Sequence, residues 1–97
     1  MYEAILTLKT LDECIRFLDD LCTTKELESM EQRYLVATLL DKGLVYNEIL
    51  KQTGVSSATI SRVNRSLNYG ADGYRIAIER TAEREPSDEN GKGAEGS

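Results

Sequence analysis

One glycine does most to limit the folds open to this chain. Gly54 lies inside QTGVSSATISRVNRSL, Gln52 to Leu67, between two segments whose apolar residues recur at helical spacing. Ile49 and Leu50 precede it, and Val55, Ile60, Val63 and Leu67 follow. A turn that locks two such helices at a steep angle takes its glycine through positive φ, where a residue without Cβ has the lowest steric cost. The pattern predicts a helix-turn-helix over about 47–67. Ile60, Val63 and Leu67, at i, i+3 and i+7, then face inward. The opposite face presents Ser57, Ala58, Thr59, Ser61, Arg62 and Arg65, with Lys51 on the helix before the turn.

The remaining punctuation is helical throughout. Thr10-Leu11-Asp12-Glu13 reads as a capping box, and Thr23-Thr24-Lys25-Glu26 as a second one, so helices start after each. The first carries Leu11, Cys14, Leu18, Leu21 and Cys22 on one stripe, broadened by Ile15 and Phe17. The second carries Leu27, Met30, Tyr34, Ala37 and Leu40, joined by Leu35, Val36 and Leu39. Its second half is thus apolar on more than one face, which implies burial against several partners. Gly43 closes it as a C′ residue. A short helix follows over 46–52. Ser56 is the N-cap of the next, which ends at Asn68-Tyr69-Gly70, and a last helix spans 74–82. No segment alternates as a strand would, so the chain is read as all-α.

Composition removes several function classes. The chain contains no histidine and no CxxC pair, which argues against a zinc site and against histidine-based catalysis. No carboxylate, serine or cysteine has an activating partner at a useful spacing, so an enzyme is not expected. Asp12, Asp19 and Asp20 share their helix with Arg16 and read as a solvated face rather than a metal site. Cys14 and Cys22 would lie about 12 Å apart on one helix at ~1.5 Å per residue, too far for a disulfide. They read as reduced, buried small hydrophobes in a soluble, cytoplasmic protein with no signal peptide and no membrane span. Glu83 to Ser97 is nearly devoid of apolar residues and holds the only proline, which predicts a disordered acidic tail over 83–97. The folding part is then one domain over 1–82. About eighty residues form a limited core, for which dimerisation is a common supplement.

The exposed face of the second helix suits double-stranded DNA. Small side chains allow close approach to the major groove, threonine and alanine methyls can meet a thymine methyl, and arginines can grip phosphate or a guanine edge. The chain's net charge of −5 points the other way. Within 47–67, however, Glu48 stands against Lys51, Arg62 and Arg65, and phosphate binding follows local charge. A protein-interaction module that keeps the same helices without a DNA partner stays open as the alternative. Tyr69 and Tyr74, flanking Gly70-Ala71-Asp72-Gly73, read as a helix terminus followed by core or dimer packing. A hinge or aromatic contact is their functional alternative.

GVSSATISRVNRSL resembles the recognition region of the Trp repressor superfamily, and LLDKGLVYNEIL and LNYGADGY are most similar to its YerC/YecD-type branch. The similarity runs from Leu11 to about Glu79. It implies an intertwined, all-helical homodimer that represses transcription by reading a palindromic operator, with Ala58, Thr59 and Ser61 toward base edges and Leu11 to Leu40 in the dimer core. The family's corepressor site implies effector-binding roles for Thr23, Arg33, Arg62 and Ser66. Val63 stands where the tryptophan-binding member has a glycine beside the indole, and a branched side chain there obstructs the ring. The resemblance therefore implies no tryptophan corepressor: either a different small effector or none, and no other cofactor.

Overall fold

The structure is a computed structural model, and it describes residues 1–84. Six helices follow one another: α1 (Tyr2–Thr7), α2 (Leu11–Leu21), α3 (Thr24–Asp41), α4 (Tyr46–Thr53), α5 (Ser57–Tyr69) and α6 (Gly73–Arg84). There is no strand among the described residues. The chain divides within α3 into two compact units, Met1–Gln32 and the part beginning at Arg33.

Both expected capping boxes form in the first unit. Thr10 Oγ1 accepts from the Glu13 N–H at 3.1 Å, and Thr23 Oγ1 accepts from the Glu26 N–H at 3.0 Å. Glu26 completes its box by accepting from the Thr23 N–H at 2.8 Å. Glu13 reaches one residue further back and accepts from the Lys9 N–H at 2.8 Å. Each box satisfies two backbone donors that a helix start otherwise leaves unpaired. α1 was not expected from the sequence. It is six residues long, and its N-cap, Met1, makes no side-chain hydrogen bond.

No residue of Met1–Gln32 is buried. Leu6 is 85% exposed, Tyr2 78% and Leu11 77%, and Ile15 and Leu21 are also exposed. The two cysteines are half-buried free thiols rather than core residues.

The core belongs to the second unit. Val36, Ala37 and Leu39 of α3 meet Ile49 of α4, Val55 of the turn, and Ile60 and Val63 of α5. Leu67 is buried as well. Leu40, Leu44, Tyr46, Leu50, Tyr74 and Ile78 close the margins of this cluster. The inward assignment of Ile60, Val63 and Leu67 is therefore correct. α3 ends as Gly43 predicted: φ is +92°, the Gly43 N–H donates to Leu40 O at 2.9 Å, and the Leu44 N–H donates to Leu39 O at 3.2 Å. This pair of bonds satisfies two terminal carbonyls in the Schellman pattern.

α6 runs two residues beyond its expected end, so Glu83 and Arg84 are helical rather than part of a tail. The rest of the expected acidic tail lies outside the described residues. The link before α6 contains one left-handed residue. Its positive-φ residue is Asp72, at 68°, and not a glycine.

Candidate nucleic-acid interface

The turn between α4 and α5 is built from three residues. Gly54 caps α4 with φ 70° and ψ 8°, and its N–H donates to Leu50 O. Thr53 knits the turn from the side: its hydroxyl donates to Ile49 O at 2.7 Å and accepts from the Val55 N–H at 3.1 Å. Val55 then drops into the core at 6% exposure. The contribution of Thr53 was not read from the sequence, although a threonine directly before a capping glycine is a local signal for it.

Ser56 starts α5. Its Oγ accepts from the Thr59 N–H at 3.2 Å and donates to Thr59 Oγ1 at 3.1 Å. At about 100° per residue, with Ile60, Val63 and Leu67 inward, Ala58, Ser61, Arg62 and Arg65 stand on the far side of the helix. All four are exposed, as are Ser57 and Ser66 on the flanks and Lys51 on α4. Thr59 is different. It is half-buried at the edge of the face, with its hydroxyl engaged by Ser56.

The electrostatics of this face are simple. α5 contains no acidic residue, and its dipole places partial positive charge at its N-terminus, where the Thr59 N–H is taken by the Ser56 cap. Among the described residues, Lys51, Arg62 and Arg65 are held by no hydrogen bond or ion pair. Charge is also segregated along the chain. Residues 1–32 carry eight Asp/Glu against three Lys/Arg, whereas residues 33–84 carry five against eight. The helix-turn-helix unit is thus net positive inside a net negative protein.

The residues that the resemblance assigned to an effector are distributed differently. The hydroxyl and N–H of Thr23 are both engaged in the α3 capping box. Ser66 lines an open depression of about 400 Å3 with Tyr34, Ala71, Gly73, Tyr74 and Ala77. Arg33 and Arg62 are exposed and do not line it. Val63 is 1% exposed and part of the core cluster. The two link tyrosines separate as well. Tyr74 is half-buried with its ring centroid 6.3 Å from that of Tyr34, while Tyr69 is 87% exposed.

At the other end of α5, three side chains form a contact that the sequence did not reveal. Arg75 Nη1 donates to Asp41 Oδ1 at 3.1 Å, and Arg75 Nη2 donates to Asn68 Oδ1 at 2.9 Å. Asp41 is the last residue of α3 and Asn68 belongs to the last turn of α5, so α6 ties these two helix ends together.

An all-helical chain whose helix-turn-helix exposes a small-residue, cationic second helix has the architecture of a DNA-binding regulator. The model of the Trp repressor protein family matches residues 1–82, and the chain belongs to that family, in its YerC-type branch. It is 52% identical over 85 residues to YerC, an uncharacterized protein of Bacillus subtilis (strain 168), covering 88% of this chain and 82% of that protein. Among solved structures, it resembles a TrpR-like protein from Eubacterium eligens ATCC 27750, at 52% identity and a TM-score of 0.78 over 84% of both chains. It also resembles a candidate Trp repressor from Staphylococcus aureus, at 46% identity and a TM-score of 0.78 over 84% of this chain and 81% of that one. The family is one of DNA-binding regulators and not of enzymes. Among the described residues, no helix is long and apolar enough to cross a membrane.

Proposed function

We propose that this protein is a sequence-specific transcriptional regulator, a repressor by family analogy, that reads a palindromic operator as a homodimer in the cytoplasm. The observation that carries this reading is the outward face of α5. Ala58 and Ser61 permit close approach, Arg62 and Arg65 are cations without a partner among the described residues, and no carboxylate lies on the helix. Ser57 and the α5 amides suit phosphate, and Lys51 adds a further cation. Thr59 contributes its methyl from the edge of the face, its hydroxyl being held by Ser56.

The homodimer is supported by the apolar residues of 1–32. Leu6, Leu11, Ile15 and Leu21 are exposed on a single chain, and a second copy offers them the same surface to pack against. We further propose that operator binding needs no tryptophan, because at Val63 a branched side chain fills the space inside the helix-turn-helix unit. An effector of other chemistry, engaging Arg33, Arg62 and Ser66 with Thr23, is a weaker reading, since Thr23 is already used as a cap. The alternative of a protein-binding module drew on the acidic net charge. That charge falls outside residues 33–84.

The test is selection of a random duplex library on the purified protein without added ligand. An enriched palindrome, unchanged when tryptophan is added, is the expected result. The double substitution Arg62→Ala/Arg65→Ala should abolish enrichment while leaving helix content and molecular mass unaltered. Retention of operator affinity by that variant would overturn the assigned face. Because the chain contains no tryptophan, indole fluorescence reports any binding of the added amino acid directly.

A further inference from the structure

We propose that Arg75 is a positioning residue that fixes the pose of α5 for base reading, acting through Asn68; this rests on the DNA-binding reading above. The fork of Arg75 spans two helix ends, with one nitrogen on Asp41 of α3 and the other on Asn68 of α5. A guanidinium directs both donors in one plane, which an ammonium cannot reproduce. The Arg75 and Asp41 side chains are 39% and 37% exposed, so the contact is open to solvent and its role is geometric rather than a large source of stability.

Asn68 passes the constraint along the helix. Its Nδ2 donates to Asn64 O at 2.9 Å and to Asn64 Oδ1 at 3.0 Å, which leaves its Oδ1 for Arg75. Asn64 lies between Arg62 and Arg65 in the sequence of the recognition helix. Beyond Asn68 the backbone has little slack. A Cβ on Gly70 would collide with the Ser66 carbonyl oxygen, and Asp72 already takes a left-handed φ of 68°. α5 is thus held at its start by Thr53, Gly54 and Ser56, and at its end by Arg75.

The consequence follows from the length of the lever. Without the clamp α5 pivots about its buried middle at Val63, about 7.5 Å from Ala58 along the axis, so a tilt of about 5° moves Ala58 by about 0.7 Å. Hydrogen bonds to base edges tolerate only a few tenths of an ångström, whereas Coulomb attraction to phosphates changes little over that distance. Loss of the clamp should therefore remove discrimination between sequences and spare non-specific binding.

The experiment measures affinity for the selected duplex and for a scrambled duplex, as a function of salt. It compares the wild-type chain with Arg75→Gln, Arg75→Lys, Asn68→Ala and the double variant Arg75→Gln/Asn68→Ala. Arg75→Gln is expected to lose about tenfold or more on the selected duplex, the scale of one good base contact. Scrambled-duplex affinity should stay within about twofold and the salt slope should not change. Arg75→Lys should recover part of the loss, and the double variant should lose no more than the larger single effect. Amide hydrogen exchange well below the unfolding transition gives a readout independent of DNA, and Leu67 to Tyr69 should lose protection in Arg75→Gln. An unchanged ratio of selected to scrambled affinity overturns the proposal, as does unchanged protection at the end of α5. So does a salt slope that falls by about two, one cation from each protomer of the dimer, which would make Arg75 itself a phosphate contact. A wild-type chain that enriches no duplex defeats the DNA-binding reading and the proposal together. Enrichment by the wild type with equal discrimination by Arg75→Gln defeats the proposal alone.

Discussion

Replacing Gly54 by alanine tests whether the turn is set by backbone conformation rather than by crowding. At Gly54 φ is +70°, and a Cβ built there meets nothing within 4 Å. The cost therefore comes from the left-handed conformation alone, about 1–2 kcal/mol for a residue with a Cβ. Against this, alanine restricts the unfolded chain and returns about 0.4–1 kcal/mol. The net loss is then about 1 kcal/mol, or a fall in Tm of about 4–8 °C for a domain of this size. Gly54→Asn should lie between wild type and Gly54→Ala, because asparagine enters the left-handed region more readily. Gly70→Ala provides the contrast. Its φ is −89°, and its added Cβ collides with the Ser66 carbonyl oxygen, so the loss is steric and asparagine should not relieve it. Urea unfolding followed by circular dichroism, at one fixed protein concentration, measures all four variants and keeps any association constant. Equal stability of Gly54→Ala and wild type, or of Gly54→Asn and Gly54→Ala, would refute the conformational account.

Ile60→Ala should be destabilised by about 2–5 kcal/mol in the same urea assay, because Ile60 is fully buried in the one core cluster of residues 33–84. A loss under about 1 kcal/mol would show that the cluster collapses around the missing atoms. Leu11→Ser/Ile15→Ser should lower the molecular mass measured by light scattering toward that of a single chain, since these two residues are exposed on α2 and apolar. A wild-type mass equal to that of a single chain would refute the homodimer, and a dimeric mass unchanged by the substitutions would place its contact elsewhere.

Much of the fold is legible in the sequence because its signals are local. The two capping boxes, the glycines at 43 and 54, and the spacing of Ile60, Val63 and Leu67 each act within one or two helical turns. The failures also have local or long-range causes. α1 has six residues, too few to show a period, and begins without a side-chain cap. Thr59 reads by residue type as part of the exposed face, but it stands one position before the inward Ile60, at the edge of the face, and is half-buried. The Arg75–Asp41 pair joins residues 34 apart, and no spacing rule brings them together. The cysteines followed the apolar stripe of α2, yet nothing in residues 1–32 of a single chain buries them. The site was therefore readable as a face, while the contacts that orient the face were not.

Net charge is the wrong measure of whether this protein can hold DNA. At physiological salt a charge is screened over about 8 Å, so a phosphate responds to the cations beside it and not to the total. Lys51, Arg62 and Arg65 are exposed on α4 and α5, and α5 brings no carboxylate with them. In a dimer these make six cations at the proposed interface. If all six displace condensed counterions, the slope of log K against log salt is about −5, and affinity falls by about 10³ between about 50 and 200 mM. Arg65→Ala removes one cation from each protomer, two from the dimer, and should reduce the slope to about −3.6. A slope near −1 for the wild type would mean that the arginines read bases or face a protein partner, and that phosphate binding is carried by the helix amides. A slope much steeper than −6 would require cations beyond these three, for which Arg80 and Lys42 of the same net-positive unit are the candidates. The slope thus counts the groups that work, and does so without knowledge of the operator's sequence.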